Sequence, residues 1–329
     1  MGSDTAKPSV AFYTVSDRRY FLGLVGLLNS LRLMGHDEPV VVVDAGLTTE
    51  QRQLLTGHVT LLPAPSDTVS YYLFPVGPMR LPADVMVVID ADIIVTRPLT
   101  SLVQDARDGR IVAFVDPLKD RFHPEWQTAL GLGPLRRHPY LNAGMLAFPE
   151  SLGDRLLPML TQAQQTVDVR QTKYGGAKEL TPFYFGDQDM INALLASRFT
   201  EEESALLEHR LAPHPPFPGL RCVDERRLLC RYPDGTEPFV LHHITAKPWL
   251  RATASNVYSR LLSRLLLAPD VALRLEPQQV PLRLRHGRLA SVDRARADLA
   301  DGIREELLWM HRLGIRTRLA KWRAGHATG

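Results

Sequence analysis

Apolar positions along this chain fall into two alternating rhythms. Val10-Ala11-Phe12-Tyr13-Thr14-Val15 predicts a strand, closed by the polar turn Ser16-Asp17-Arg18-Arg19. Tyr20 to Met34 then places Leu24, Leu27, Leu28 and Leu31 at helical spacing, and Gly35 stands where a C-cap belongs. Val40 to Val43 predicts a second buried strand ending at Asp44, Thr49 to Leu55 a short helix, and Val59 to Leu62 a third strand. Strand–helix–strand alternation at such short intervals signals an α/β fold with an open, mostly parallel central sheet and flanking helices. In sheets of that kind ligands gather outside the carboxyl ends of the strands.

The run from Val85 to Val95 is nearly all apolar and β-branched, as in a strand buried on both faces, yet Asp90-Ala91-Asp92 interrupts it. An unpaired buried carboxylate costs several kcal/mol, so the pair belongs where the strand ends and a loop begins. In extended chain two residues separated by one point to the same side, so both carboxylates can address one object. A hard divalent cation such as Mg²⁺ or Mn²⁺ prefers such oxygen ligands. The bland alternative for the tripeptide alone is a strand-end turn or a helix cap.

Further along, Pro63 to Pro82 is a long connection carrying Tyr71, Tyr72 and Phe74, which is either functional or hides a helix. Pro98 opens a helix over Leu99 to Ala106, Ile111 to Val115 is a strand ending at Asp116, and Asp120 to Pro139 reads as irregular around Trp126. Tyr140 to Phe148 contains Asn142-Ala143-Gly144, whose small pair either admits a bulky ligand to the backbone or merely relieves strand packing. A helix follows from Ser151 to about Ala163, the Gly175-Gly176 pair marks Lys173 to Lys178 as flexible, and Asp187-Gln188-Asp189 opens a helix over Met190 to Ala196. Acids there suit an ordinary helix N-terminus. Phe239 to Thr245 is a strand ending in His242 and His243, followed by Lys247-Pro248-Trp249. Adjacent strand residues face opposite ways, so at most one of the two histidines shares a site with the aspartates.

Composition adds one asymmetry. The chain of 329 residues carries a net charge of only +3, but from Arg251 to Gly329 there are 15 Lys and Arg against 7 Asp and Glu. An acidic body over residues 1–250 is therefore followed by a basic, largely helical extension over 251–329, with a helix expected over Ile303 to Trp322. Such a tail is either a solvated face closing the domain or a peripheral membrane contact. Cys222 and Cys230 are separated by seven residues, which is no zinc spacing, and two cysteines in this length suit a reduced, cytoplasmic protein, a disulfide between them being the alternative. No stretch approaches the roughly 18 apolar residues of a membrane span, and nucleic acid is not among the expected partners.

Five motifs in order give the chain a resemblance: Tyr13-Thr14-Val15-Ser16-Asp17 with Tyr20, Asp90-Ala91-Asp92, Asn142-Ala143-Gly144, Gly186-Asp187-Gln188-Asp189, and His242 to Trp249. Together they are similar to the family 8 glycosyltransferases, retaining enzymes of the GT-A fold that include galactosyltransferases and glycogenin. The resemblance implies that Asp90, Asp92 and His242 bind Mn²⁺ (or Mg²⁺) bridging the diphosphate of a nucleotide sugar, expected to be a UDP-sugar. It implies Lys247 on a phosphate oxygen, with Thr14, Ser16, Asp17 and Tyr20 on base and ribose. It further implies Ala91 beside the donor nucleotide, Asp116, Asn142, Ala143 and Asp187 around the donor sugar, and Gln188 near the anomeric carbon. Thr245 stands where the family pattern has glycine, and Arg80 is the nearest basic residue upstream of the carboxylate strand.

The expected activity is metal-dependent transfer of a hexosyl group to an unidentified hydroxyl acceptor, whether glycan, lipid-linked or small natural product. A catalytically inactive binding scaffold of the same fold is one competitor. A sugar-phosphate nucleotidyltransferase is another, but Thr14 to Tyr20 has no glycine to cradle a triphosphate. A dinucleotide oxidoreductase is disfavoured because no G-x-G-x-x-G follows a strand.

Overall fold

The computed structural model describes residues 7–65, 73–251 and 255–285, together with Val292. The helix expected over Ile303 to Trp322 lies outside the described residues, as do Tyr71 and Tyr72. In chain order the elements begin with β1 (Val10–Ser16), α1 (Phe21–Leu33), β2 (Val40–Asp44), α2 (Thr49–Leu55), β3 (Thr60–Pro63) and α3 (Val76–Arg80). Next come β4 (Val85–Ile89), β5 (Ile93–Val95), α4 (Thr100–Arg107), β6 (Ile111–Val115), α5 (Glu125–Ala129), β7 (Leu141–Pro149) and α6 (Glu150–Thr166). The rest comprises α7 (Asp187–Arg198), β8 (Ser204–Leu207), β9 (Arg221–Asp224), β10 (Leu229–Arg231), β11 (Val240–His242) and α8 (Val257–Leu267).

Seven strands form the central sheet in the order β3-β2-β1-β4-β7-β6-β8. Every pairing is parallel except those of β7, which runs against both β4 and β6. The mostly parallel α/β architecture read from the sequence is therefore the one found. Parallel strands send their carboxyl ends to one edge, and β7, being reversed, brings its amino-terminal Leu141-Asn142-Ala143-Gly144 to that same edge. Ser16-Asp17, Asp90, Asp116 and Asn142 thus share one border of the sheet.

Two irregularities shape that border. The apolar run Val85–Val95 is two strands rather than one: Asp90-Ala91-Asp92 makes a turn, with the Ile93 N–H donating to the Asp90 carbonyl at 3.1 Å, and β5 then leaves the sheet to pair with β11. On β7, the register against β6 jumps from Leu146 opposite Ala113 to Asn142 opposite Phe114. Ala143, Gly144 and Met145 therefore bulge away from β6, and such bulges re-aim side chains beside a site.

Helix α1 backs this edge. Leu24, Leu27 and Leu31 are fully buried, each contributing about 1.5–3 kcal/mol by leaving water. Its glycines allow two close approaches. A Cβ on Gly23 would stand 2.7 Å from the Trp249 ring and against the Ala91 carbonyl, and one on Gly26 would stand 2.6 Å from Leu262 of α8. The Asn29 amide donates to the carbonyls of Leu265 and Leu273 and accepts the Leu273 N–H, all at 2.7–2.8 Å. Tyr258, Leu261, Leu262 and Leu265 thereby join the same core as α1.

The structure shifts several boundaries. The long connection 63–82 hides α3, the stretch read as irregular contains α5 with buried Trp126, and α7 starts at Asp187 instead of Met190. Its N-cap is Gly186 at φ +64°, so both Asp187 and Asp189 lie inside the first turn. Lys173 to Gly175 forms a short 3-10 turn capped by the Thr172 hydroxyl. Strand β11 stops at His242, which leaves His243 outside it. The β8 strand and the β9–β10 hairpin carry no apolar alternation that marks them in the sequence.

Candidate metal centre and donor cleft

The turn after β4 and the end of β11 bring three ligand atoms together. One atom each of Asp90, Asp92 and His242 lies within 4.8 Å of the others. His242 Nε2 stands 3.4 Å from Asp90 Oδ2 and 3.3 Å from Asp92 Oδ1. Asp90 is held from behind by its own N–H, which donates to the Gly144 carbonyl at 2.8 Å. Despite that nearness to His242, Asp92 Oδ1 is buried and makes no hydrogen bond. A buried carboxylate oxygen that faces a second carboxylate and an imidazole without making a well-aligned hydrogen bond is what a divalent cation would satisfy. The donor set of two carboxylates and one imidazole suits Mn²⁺ or Mg²⁺, so the residues present fit the ion.

The other Asp92 oxygen is occupied: Lys247 Nζ donates both to Asp92 Oδ2 and to the His243 carbonyl. Burial pushes the Asp92 pKa up, but the charges of Lys247 and His242 outweigh it and hold the carboxyl well below the usual range. Asp90 behaves oppositely. Its side chain is 57% exposed to the cleft, yet protein atoms crowd it, and this desolvation together with the Asp92 charge raises its pKa. Burial alone would pull the His242 pKa down, but Asp92 and Asp90 push it to about 9. The histidine expectation holds in its geometry: His242 enters the acid cluster, while His243 turns away against Tyr258, with ring centroids 4.8 Å apart. Burial and the Lys247 charge lower the His243 pKa to about 4.

A second cluster adjoins the first. Asn142 Nδ2 donates to Asp116 Oδ2 at 2.9 Å and to Gln188 Oε1 at 3.3 Å, and the Ala143 N–H donates to Gln188 Oε1 at 3.2 Å. Gln188 Nε2 completes the ring to Asp116 Oδ2 at 3.3 Å, while Asp116 Oδ1 accepts the Leu118 N–H. Asp187, one residue earlier, has its pKa raised to about 7 by desolvation and by the Asp90 charge. Beneath them, Asp189 is fully buried and accepts from Arg121 Nε, Arg121 Nη2, the Tyr140 hydroxyl and the Phe185 N–H. That carboxylate ties α7 to the loop after β6, a role beyond the helix-terminus chemistry the sequence suggests.

Not every candidate from the sequence reaches this point in the same way. Tyr20 does: its ring lies 5.7 Å from Lys247 Nζ, and burial with Asp92 and Asp90 raises its pKa. Asp17 instead spends Oδ1 on the Arg19 and Tyr20 N–H groups, which start α1, and Ser16 Oγ donates to the Asp17 carbonyl. Thr14 Oγ1 is buried without a hydrogen-bond partner. Gly144 does not open the backbone to a ligand: a Cβ there would stand 2.5 Å from His242 Nδ1, so the space belongs to the His242 ring. Sequence reasoning missed Lys173, on which the charges of Asp187, Asp90 and Asp116 act, and His214, whose ring meets His242 edge-on at 5.2 Å. Neither stands in a pattern that singles it out.

No protein-family model matches the chain, and no curated protein matches it. Solved structures do. An active-site mutant of LgtC superposes with a TM-score of 0.55 at 18% identity, over 82% of this chain and 99% of that one. The galactosyltransferase LgtC in complex with donor and acceptor sugar analogs gives 0.51 at 19%, over 79% and 98%. The apo bifunctional glycosyltransferase WbbM gives 0.54 at 14%, over 83% of this chain and 51% of that one. At these identities the likeness is one of fold, and the fold is the GT-A glycosyltransferase fold. Among the described residues no helix is long and apolar enough to cross a membrane.

Proposed function

We propose that the chain is a metal-dependent, retaining glycosyltransferase of family 8 type, moving a hexosyl group from a UDP-sugar to a hydroxyl acceptor. The observation that carries this reading is the meeting of Asp90, Asp92 and His242, with one Asp92 oxygen unsatisfied, at the carboxyl edge of a GT-A sheet. Residues 1–250 would form the catalytic domain and 251–329 its basic extension.

Asp90, Asp92 and His242 would hold Mn²⁺ (or Mg²⁺), which when bound supplies Lewis acidity to the donor diphosphate. Every other part belongs to the chain. Lys247 offers a fixed positive charge to the departing phosphate oxygens, in a site where burial strengthens it. Tyr20, Thr14, Ser16 and Asp17 line the nucleotide side, and Asp116, Ala143 and Asp187 the sugar side. The bond from the anomeric carbon to the phosphate oxygen breaks, the acceptor oxygen enters from the same face, and its proton passes to the leaving phosphate. Gln188, a neutral amide, is a poor base and a poor nucleophile. It suits stabilisation of a short-lived oxocarbenium ion near the anomeric carbon.

A panel of nucleotide sugars incubated with the full chain and Mn²⁺ should show slow release of nucleoside diphosphate from one donor, abolished in Asp92→Ala. Unchanged turnover in that variant would sink the metal assignment. Inversion at the anomeric carbon, read by NMR of the product, would remove Gln188 from its role.

A further inference from the structure

Asn142 stands where the resemblance puts a donor-sugar contact, but its hydrogen-bonding capacity is already filled. The side-chain amide has two acceptor lone pairs and two N–H donors. The Gly144 N–H donates to Asn142 Oδ1 at 3.0 Å, and because a backbone N–H can only donate, that contact fixes which amide atom is the oxygen. His242 Nδ1 faces the same oxygen at 3.1 Å. Against an oxygen that cannot donate, Nδ1 must carry a proton. The two amide hydrogens go to Asp116 Oδ2 and Gln188 Oε1. The Gln188 orientation is fixed in the same way, by the backbone N–H of Ala143.

We propose that Asn142 is a positioning residue that holds His242 with Nδ1 protonated and Nε2 turned to Asp90 and Asp92. The proposal rests on the reading of Asp90, Asp92 and His242 as metal ligands. The hydrogen bond on the far nitrogen of a ligating imidazole sets the ring's tautomer and orientation, and losing it costs about 10–100-fold in metal affinity. Here the same amide also reaches Asp116 and Gln188, so it couples the metal ligand to the sugar-side residues through one rigid side chain, 8% exposed. The bulge on β7 makes this geometry possible, because it frees Ala143 and Gly144 from β6 and lets their N–H groups turn inward.

The test separates holding His242 from touching sugar. Mn²⁺ affinity is measured by EPR titration of the full chain without any nucleotide. Asn142→Ala should weaken it about 10–100-fold. Asn142→Asp keeps an acceptor for Gly144 and His242 but loses both donor contacts and faces the Asp116 carboxylate, so it should lose less affinity than Asn142→Ala. Nitrogen NMR of the Mg²⁺-loaded wild type should place the cation-dependent shift on Nε2 of His242, with Nδ1 still protonated. Wild-type Mn²⁺ affinity in Asn142→Ala, with only a raised KM for the nucleotide sugar, would make Asn142 a sugar contact and overturn the proposal. If Asn142→Ala does not fold, a cation-dependent shift on Nδ1 in the wild type would overturn it equally. Absence of Mn²⁺ binding by the wild type would remove the metal reading itself and this proposal with it.

Discussion

Replacing Gly144 by alanine tests the site with a single carbon. Gly144 has no positive φ, so alanine fits its backbone without strain, and its carbonyl still accepts the Asp90 N–H. The added Cβ would stand 2.5 Å from His242 Nδ1, and nearer still to Cε1, where ordinary contact begins at 3.4 Å. The ring must therefore retreat by more than the 0.9 Å that relieving Nδ1 alone requires (3.4 Å against 2.5 Å). Metal–ligand distances tolerate about ±0.2 Å, so a displacement of this size removes His242 as a ligand. The loss in Mn²⁺ affinity should be at least the 10–100-fold that follows from disturbing a ligand's support. Overpacking itself should cost about 1–3 kcal/mol of stability. Thermal unfolding with and without Mn²⁺ distinguishes the two effects. At a concentration one hundred times the wild-type Kd, bound ion stabilises the wild type by about 2.7 kcal/mol. A variant bound a hundredfold more weakly gains only about 0.4 kcal/mol at the same concentration. The Mn²⁺-induced rise in Tm should therefore nearly vanish. An equal rise in both proteins, with the variant's basal Tm lowered, would show that His242 is not a ligand.

Asp189→Asn should destabilise the fold by about 3–5 kcal/mol in urea unfolding, because it leaves buried Arg121 without its carboxylate; a loss under about 1 kcal/mol would show that the pair is not sealed from water. Asp187 adds a pH dependence. Its folded pKa of about 7 lies above the ordinary carboxyl value of about 3.9, so between those limits the folded state keeps a proton that the unfolded state has lost. Its contribution to stability therefore falls as pH rises from about 4 to about 7 and is flat above, and Asp187→Asn should flatten that slope in metal-free unfolding. Identical slopes would refute the assignment. Cys222 and Cys230 are direct cross-strand partners on β9 and β10 and both are free thiols. Oxidised glutathione should remove both titratable thiols together, and retention of both after prolonged exposure would show that the pair cannot close.

The parallel sheet was legible because β1, β2 and β4 are nearly unbroken apolar runs between helical periods. Asp90 and Asp92 were legible for the complementary reason, that charge inside such a run demands compensation. What the sequence hides is whatever depends on a register jump or a reversed strand. Nothing in Tyr140–Phe148 says that its strand runs antiparallel, or that Ala143 to Met145 bulge from β6. The sequence therefore leaves Gly144 open between room for a ligand and relief of packing, because the ring filling that room comes from a residue about a hundred positions later. Motif order carries residue types to a site, but not their hydrogen-bond partners, so the bond from Asn142 to His242 was not legible either. Arg121 reaches buried Asp189, and Lys173 comes under the charges of Asp187, Asp90 and Asp116, from segments outside the α-helices and strands with no periodicity to read.

Asp92 is claimed from two sides, and that division explains the shape of the site. Lys247 holds one oxygen, which keeps a 7%-exposed carboxylate ionised and leaves the other oxygen turned to Asp90 and His242. Had both oxygens been satisfied by the chain, a cation would have to displace a buried ion pair, at a cost of several kcal/mol. With one left free, the ion completes a set that is already oriented. On the proposed reading the charges would then favour the diphosphate: two carboxylates would offset a divalent cation, and the ammonium of Lys247 would remain as a net positive charge beside it. A site made of the two carboxylates alone would bind a metal and end neutral. On the proposed reading Lys247 would turn a metal site into an anion site, and Lys247→Met should therefore weaken nucleoside-diphosphate binding while leaving Mn²⁺ affinity in its absence equal or tighter. Loss of both affinities together, in a variant that still folds, would mean that Lys247 serves only to hold Asp92 in place.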